Sequence, residues 1–207
     1  MNLHPLACAA LIAAALPVTA VHAAVLVDNL LEPHGATTLV ESTVWAAQSF
    51  ITAGEAVNLQ SIELWLGQTV AGPVITAELR ADSASGPAAA LASFNLPALT
   101  TGATQIEGLS ALPQIELAAG TKYWIVLGVT GAGSFGWTYA FGENQTGPGL
   151  LTNYNYSSDG GASWLDYGSL NPYLVRVNVS AVPEPASALT LLAGMALLVA
   201  LRRRQRV

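Results

Sequence analysis

Residues 121–130 read TKYWIVLGVT. After Lys122 the run is apolar at nearly every position and rich in aromatic and β-branched residues. It lacks the polar stripe of a surface helix and the strict alternation of a half-exposed strand. That pattern is expected of a central β-strand buried on both faces. A central strand needs partners on each side, so the flanking sequence should supply them.

It does, from Val25 to Ser180. No stretch holds an apolar pattern of helical period for three turns without Gly, Pro or a β-branched interruption. Short β-rich runs alternate with turn signals instead: Val25–Leu31, Val44–Ile51, Val57–Gly67, Pro73–Ala81, Ala90–Leu96, Gln105–Leu109, Gln114–Leu117, Ser134–Phe141, Leu150–Tyr156 and Tyr173–Ser180. In Val57–Gly67, Ile62, Leu64 and Leu66 share one face, and Glu63 and Trp65 the other. In Tyr173–Ser180, Tyr173, Val175, Val177 and Val179 alternate with Leu174, Arg176, Asn178 and Ser180. About eleven short strands without a fixed repeat predict one all-β domain, a two-sheet β-sandwich of jelly-roll type.

The ends of the 207-residue chain differ from this body. At the start, MNLHPLACAALIAAALPVTAVHA is apolar from Leu6 to Leu16, breaks at Pro17 and reaches the small residues around Ala23. This is the order of a secretory signal peptide over residues 1–23, cleaved after Ala23. The amino terminus and His4 are its sources of positive charge. Cleavage removes Cys8, so the mature chain has no disulfide framework and no thiolate metal site. Between Ala24 and Ala186 three basic residues (Arg80, Lys122, Arg176) stand against all 13 acidic ones, a net charge of −10. Phosphate binding needs clustered Lys and Arg, so nucleic acid is excluded as a partner.

The end, VPEPASALTLLAGMALLVALRRRQRV, carries no charge from Ala186 to Leu201 and then Arg202, Arg203, Arg204 and Arg206. The uncharged run is a short transmembrane segment. The arginines hold its C-terminus in the cytoplasm. Pro183 and Pro185 keep the preceding chain extended and accessible. Together Val182-Pro183-Glu184-Pro185, the apolar segment and the basic stop resemble the PEP-CTERM sorting signal of Gram-negative bacteria. That resemblance spans residues 181–207. It implies recognition and removal of the tail by exosortase, a membrane cysteine protease-transpeptidase, in a producer of exopolysaccharide. The expected route crosses the inner membrane through the secretion translocon, with signal peptidase acting on the way. A transient membrane anchor follows, and then the cell surface or the exterior.

The body, residues 24–180, carries a second resemblance. AQSFITAGEAVNLQSIELWLG, ELRADSASGPAAALASF, IELAAGTKYWIVLGVTG, SFGWTYA and LVRVNV are similar to the choice-of-anchor R domain. The likeness lies in strand patterns, a Gly-Pro turn and a Tyr-Trp strand. It implies no catalytic residue.

Ser157-Ser158-Asp159-Gly160-Gly161-Ala162-Ser163-Trp164 fits S-x-D-x-G-x-x-W and resembles the Asp-box of sialidase propellers. Asp159 can accept turn N–H groups, Gly161 permits positive φ, and Trp164 packs beneath, which predicts a fold-stabilising hairpin. Of the five tryptophans, Trp124 belongs to the apolar central strand. Trp65 shares its face with Glu63 and is a candidate for stacking on sugar rings. Trp137 and Tyr139 join it, with Tyr154 and Tyr156 close by. Core packing is the default for these aromatics.

Enzyme signatures are sparse. Glu63 and Glu78 could pair across neighbouring strands as glycosidase carboxylates. His34 lies in a Pro-His-Gly turn and there is no nucleophile elbow. Transition-metal spacing is absent, and calcium would have to use Asp82, Asp159 or Asp166 with loop carbonyls. Two function classes therefore stay open: a non-enzymatic surface or matrix component holding exopolysaccharide, and a secreted polysaccharide hydrolase. The expectation is the first, with no catalytic residue, no metal and no cofactor.

Overall fold

A computed structural model of the protein describes residues 23–70, 72–96, 99, 104–182 and 194. The expected signal peptide up to residue 22, Pro183-Glu184-Pro185, the apolar segment apart from Gly194, and the arginine cluster lie outside the described residues. Among the described residues no helix is long and apolar enough to cross a membrane.

The body is all β. Its strands are β1 (Ala24–Asp28), β2 (His34–Val40), β3 (Trp45–Ile51), β4 (Val57–Val70), β5 (Val74–Ser83), β6 (Gly86–Phe94), β7 (Thr104–Leu117), β8 (Lys122–Thr130), β9 (Ser134–Ala140), β10 (Leu150–Ser157), β11 (Leu165–Asp166) and β12 (Val175–Ala181). They form two antiparallel six-stranded sheets. One, sheet A, runs β1-β12-β4-β9-β2, with β7 on the other edge of β4. The other, sheet B, runs β11-β10-β3-β8-β5-β6.

The opening stretch sits where its composition requires. β8 lies between β3 and β5, and Tyr123 to Val129 are all buried. Its inward residues Ile125, Leu127 and Val129 join Phe50 and Leu79 from their own sheet. From sheet A they meet the cluster that holds Ile62, Leu64, Leu66, Val175 and Val177. Each such fully buried aliphatic side chain contributes about 1.5–3 kcal/mol, which makes this layer the main source of stability. Its outward residues Trp124 and Val126 join Trp45 and Ala47, with Trp164 packed against them. β8 is thus buried twice, against the opposite sheet and under a hairpin.

Three predicted details change. The runs at Gln105–Leu109 and Gln114–Leu117 are one strand, β7. Its register slips where Ser61 faces Ser110 but Leu59 faces Ile115. Pro113 lies in that slip, on a strand paired along one edge alone, where a missing N–H is tolerated. β2 was not expected. Most of HGATTLV is exposed or half-exposed because β2 closes the edge of sheet A, so no burial pattern marks it. β11, two exposed residues, leaves no pattern either.

Candidate functional site

The Asp-box segment forms the predicted hairpin. Ser157 Oγ lies 2.7 Å from Asp159 Oδ1 and accepts the N–H groups of Asp159 and Gly161. Asp159 accepts the Ser163 N–H at 2.9 Å and the Ser163 hydroxyl at 2.6 Å. These bonds, those from Ser163 first and Ser157 next, hold the Asp159 carboxyl down at about 2. Gly161 stands at φ 85°, and a Cβ there would meet Trp45 Cε3 at 2.8 Å. The carboxylate is therefore spent on shaping a turn that lies against Trp45.

Below the hairpin, the outer face of sheet B is an aromatic layer bordered by ions. The Trp124 indole donates to Asp82 at 2.6 Å, and Lys122 lies over the Trp124 ring at 4.6 Å. Arg80 lies 5.9 Å from the Trp45 ring centre and pairs with Glu78 at 2.7 Å. On the outer face of sheet A, Arg176 bridges Asp28 at 2.8 Å and Glu63 at 3.0 Å. Asn178 donates to Glu63 at 2.8 Å. Hydrogen bonds to Asp28, then the nearby carboxylate charges, raise the Arg176 pKa further.

Glu63 and Glu78 do not meet, because β4 and β5 belong to different sheets. Among the described residues no three His, Cys, Asp or Glu side chains come together as a metal site. Asp82 is taken by Trp124, Asp159 by the hairpin, and Asp166 by Asn153 at 2.8 Å.

The aromatic candidates part company. Trp137 is fully buried, stacks on Tyr173 at 4.3 Å and donates to the Leu174 carbonyl. Its expected sugar contact is corrected: no ring face reaches solvent. Alternation along SFGWTYA does not show that both faces of β9 are covered, and they are. Trp65 is half-buried on the outer face of sheet A beside Leu30, Ala140 and Leu174, with the His34 ring against it at 4.2 Å. Tyr139 is half-buried and meets Tyr173 edge-on at 6.4 Å. Beyond them lie residues the sequence did not single out. Tyr173 is buried, and Tyr167, just after β11, stacks on Tyr154 at 5.5 Å and 14°.

At the other end of the sandwich is an open apolar cavity of about 480 Å³. Ala24, Val25 and Leu26 of β1 line it together with Val57, Val179 and Ala181. Ala24 pairs with Val179, so the start and finish of the body lie side by side.

Residues 181–205 match the PEP-CTERM protein-sorting motif. No curated protein matches the chain. The motif implies export, anchoring in a membrane before cleavage, and exosortase as the processing partner. It starts at Ala181, the last residue of β12. The folded body and its address therefore meet without a linker.

Proposed function

We propose that this chain is an exported, exosortase-processed surface or extracellular-matrix protein that holds exopolysaccharide and catalyses no reaction. Its body is choice-of-anchor R-like and of jelly-roll type. The observation that carries the reading is the sorting motif beginning at the last residue of β12. β12 is hydrogen-bonded to β4 from Val175 to Ala181 and to β1 from Arg176 to Val179. Cleavage near Pro185 therefore leaves all of these ladder bonds within the released body.

Other observations support the finer parts. The stretches similar to choice-of-anchor R domains fall on β3 to β9 and on β12. The chain passes between the two sheets at most of its connections, as jelly-roll topologies do. Glu63 and Glu78, the carboxylates best placed in sequence for hydrolysis, are each bound to an arginine in separate sheets. The aromatic residues at one edge suit a sugar polymer.

Mass spectrometry of surface-extracted protein from wild-type and exosortase-deleted cells tests the reading. The expected wild-type product starts at Ala24 and ends near Pro185, and the deletion strain retains the tail. A wild-type product ending at Val207 would overturn processing. Release of new reducing ends from the producer's exopolysaccharide by the pure protein would overturn the non-enzymatic assignment.

A further inference from the structure

Five of the six tyrosines, Tyr139, Tyr154, Tyr156, Tyr167 and Tyr173, gather at one edge of the sandwich. Trp137 stacks on Tyr173, Tyr173 meets Tyr154 edge-on at 5.6 Å, and Tyr154 stacks on Tyr167. Tyr156 closes on Tyr167 at 6.4 Å and 82°. Exposure rises along this chain, from 0% at Trp137 and 1% at Tyr173 to 52% at Tyr167. We propose that the strip of Tyr139, Tyr154, Tyr156 and Tyr167 is a binding site for an uncharged polysaccharide. The proposal rests on the reading of the protein as a polysaccharide-holding component.

Core filling accounts for Trp137 and Tyr173 but not for Tyr167, which keeps half its surface in water. Tyr167 is nevertheless fixed. Its N–H donates to the Tyr154 carbonyl at 3.1 Å, and the Tyr154 N–H donates to Gly168 at 2.9 Å. A ring face held this way binds a flat apolar partner with little further loss of side-chain freedom. Leu165 and Leu170, 59% and 65% exposed, flank it in the same segment. The Tyr173 hydroxyl donates to Thr38 and the Tyr123 hydroxyl accepts from Ala118. Among the described residues no protein group takes up the hydroxyls of Tyr139, Tyr154, Tyr156 and Tyr167. Apolar ring faces with unengaged hydroxyls match a sugar, which offers C–H faces ringed by hydroxyls.

Charge selects among sugars. Arg80 and Lys122 are paired on the outer face of sheet B, and Arg176 on the outer face of sheet A. The Asp166 carboxylate is held by Asn153, which also accepts from Lys122 at 3.4 Å. With these cations engaged on carboxylates, the strip offers a uronate or phosphate polymer no free counter-charge, whereas a neutral glycan needs none. Burial first, then the neighbouring Tyr139 and Tyr167, raises the Tyr154 pKa, so this phenol stays neutral at physiological pH. The strip also lies far from the start of the sorting motif. Tyr173 stands two residues before the seven-residue β12, and the sorting motif begins at the end of that strand, roughly 26 Å away.

Affinity electrophoresis of the exported, processed protein in gels containing dextran, laminarin, polygalacturonate or the producer's own exopolysaccharide tests the site. A neutral glucan should retard the wild type, and polygalacturonate should not. Tyr167→Ala should weaken binding about tenfold, the scale of one lost aromatic stack, at an unchanged melting temperature. Tyr167→Phe should stay within about threefold of wild type. If Tyr167→Ala lowers the melting temperature, Tyr167→Leu, which keeps bulk but loses the flat face, carries the test. Wild-type binding that neither variant weakens overturns the site and leaves the polysaccharide reading standing. Tighter binding to polygalacturonate overturns the uncharged ligand. Absence of binding to all four polymers overturns the site and the reading together.

Discussion

Replacing Gly128 by alanine drives a methyl group into an indole. An ideal Cβ at this position lies 2.2 Å from Trp45 Cδ2 and Cε2 and 2.7 Å from Cε3. Favourable carbon contacts begin at about 3.5 Å, so the ring must retreat by roughly 1.3 Å. It has little room to do so, because Trp124 and Ala47 share its cluster and Gly161 of the hairpin presses from above. Gly128→Ala should therefore cost about 2–3 kcal/mol, the upper part of the range for overpacking. Trp45→Ala alone should cost about 3 kcal/mol. That is the low end for a buried indole, because the Trp45 Nε1 is buried with no partner in the wild type.

The informative protein is the double variant. With the ring gone, the alanine methyl enters vacated space. Gly128 is also not among the positive-φ glycines, and alanine is the better strand residue by about 0.5–1 kcal/mol. Gly128→Ala should then be neutral or stabilising, a coupling of about 2–3 kcal/mol between the two sites. Urea unfolding of the four processed proteins measures it through the midpoints at constant m. Additivity within about 0.5 kcal/mol would refute the packing of Trp45 across Gly128.

Three further outcomes follow from the same geometry. The folded Asp159 carboxyl titrates at about 2, below the ordinary carboxylate near 3.9, so its stabilisation is complete above that unfolded value and lost as pH falls through about 2. Melting temperatures of wild type and Asp159→Asn should converge between about pH 4 and pH 2, and a gap independent of pH would refute this. Arg176→Ala leaves Asp28 and Glu63 without their shared cation and should cost about 1.5–3 kcal/mol in urea unfolding. A loss below about 0.5 kcal/mol would class the trio with ordinary surface pairs. Trp164 is only partly buried against Trp45 and Trp124, so Trp164→Ala should cost about 1.5–3 kcal/mol, less than for an enclosed indole. An unchanged melting curve would show that the hairpin does not cover the outer face of sheet B.

The candidate site was legible in parts. The Asp-box turn is readable in sequence because the side-chain bonds of Ser157 and Asp159 close within the segment 157–163, although Gly160 also donates to the distant Thr43 carbonyl. The strip of tyrosines is not. Tyr139 comes from β9 in one sheet, Tyr154 and Tyr156 from β10 in the other, and Tyr167 from the turn after β11. In the sequence Tyr139 is a candidate beside Trp65 and Trp137, with Tyr154 and Tyr156 close by, yet Trp137 is core and Tyr167 carries no signal. No local pattern distinguishes Tyr139 from Trp137, since they stand on the same face of one strand. Their different exposure comes from how near each lies to the edge of the sandwich.

The sequence by itself determined what depends on neighbours in the chain. Alternation put Ile62, Leu64 and Leu66 inward, and all are buried. Composition made β8 a central strand. The order of motif, apolar run and arginines marked the C-terminal address. Tertiary structure decided what depends on residues far apart: which strands pair, that Glu63 and Glu78 occupy different sheets, and that Gly128 is a seat for Trp45. Residue periodicity reports which face a side chain takes, whereas sheet order is set by long-range pairing, and a side chain's exposure depends on what that pairing places above it.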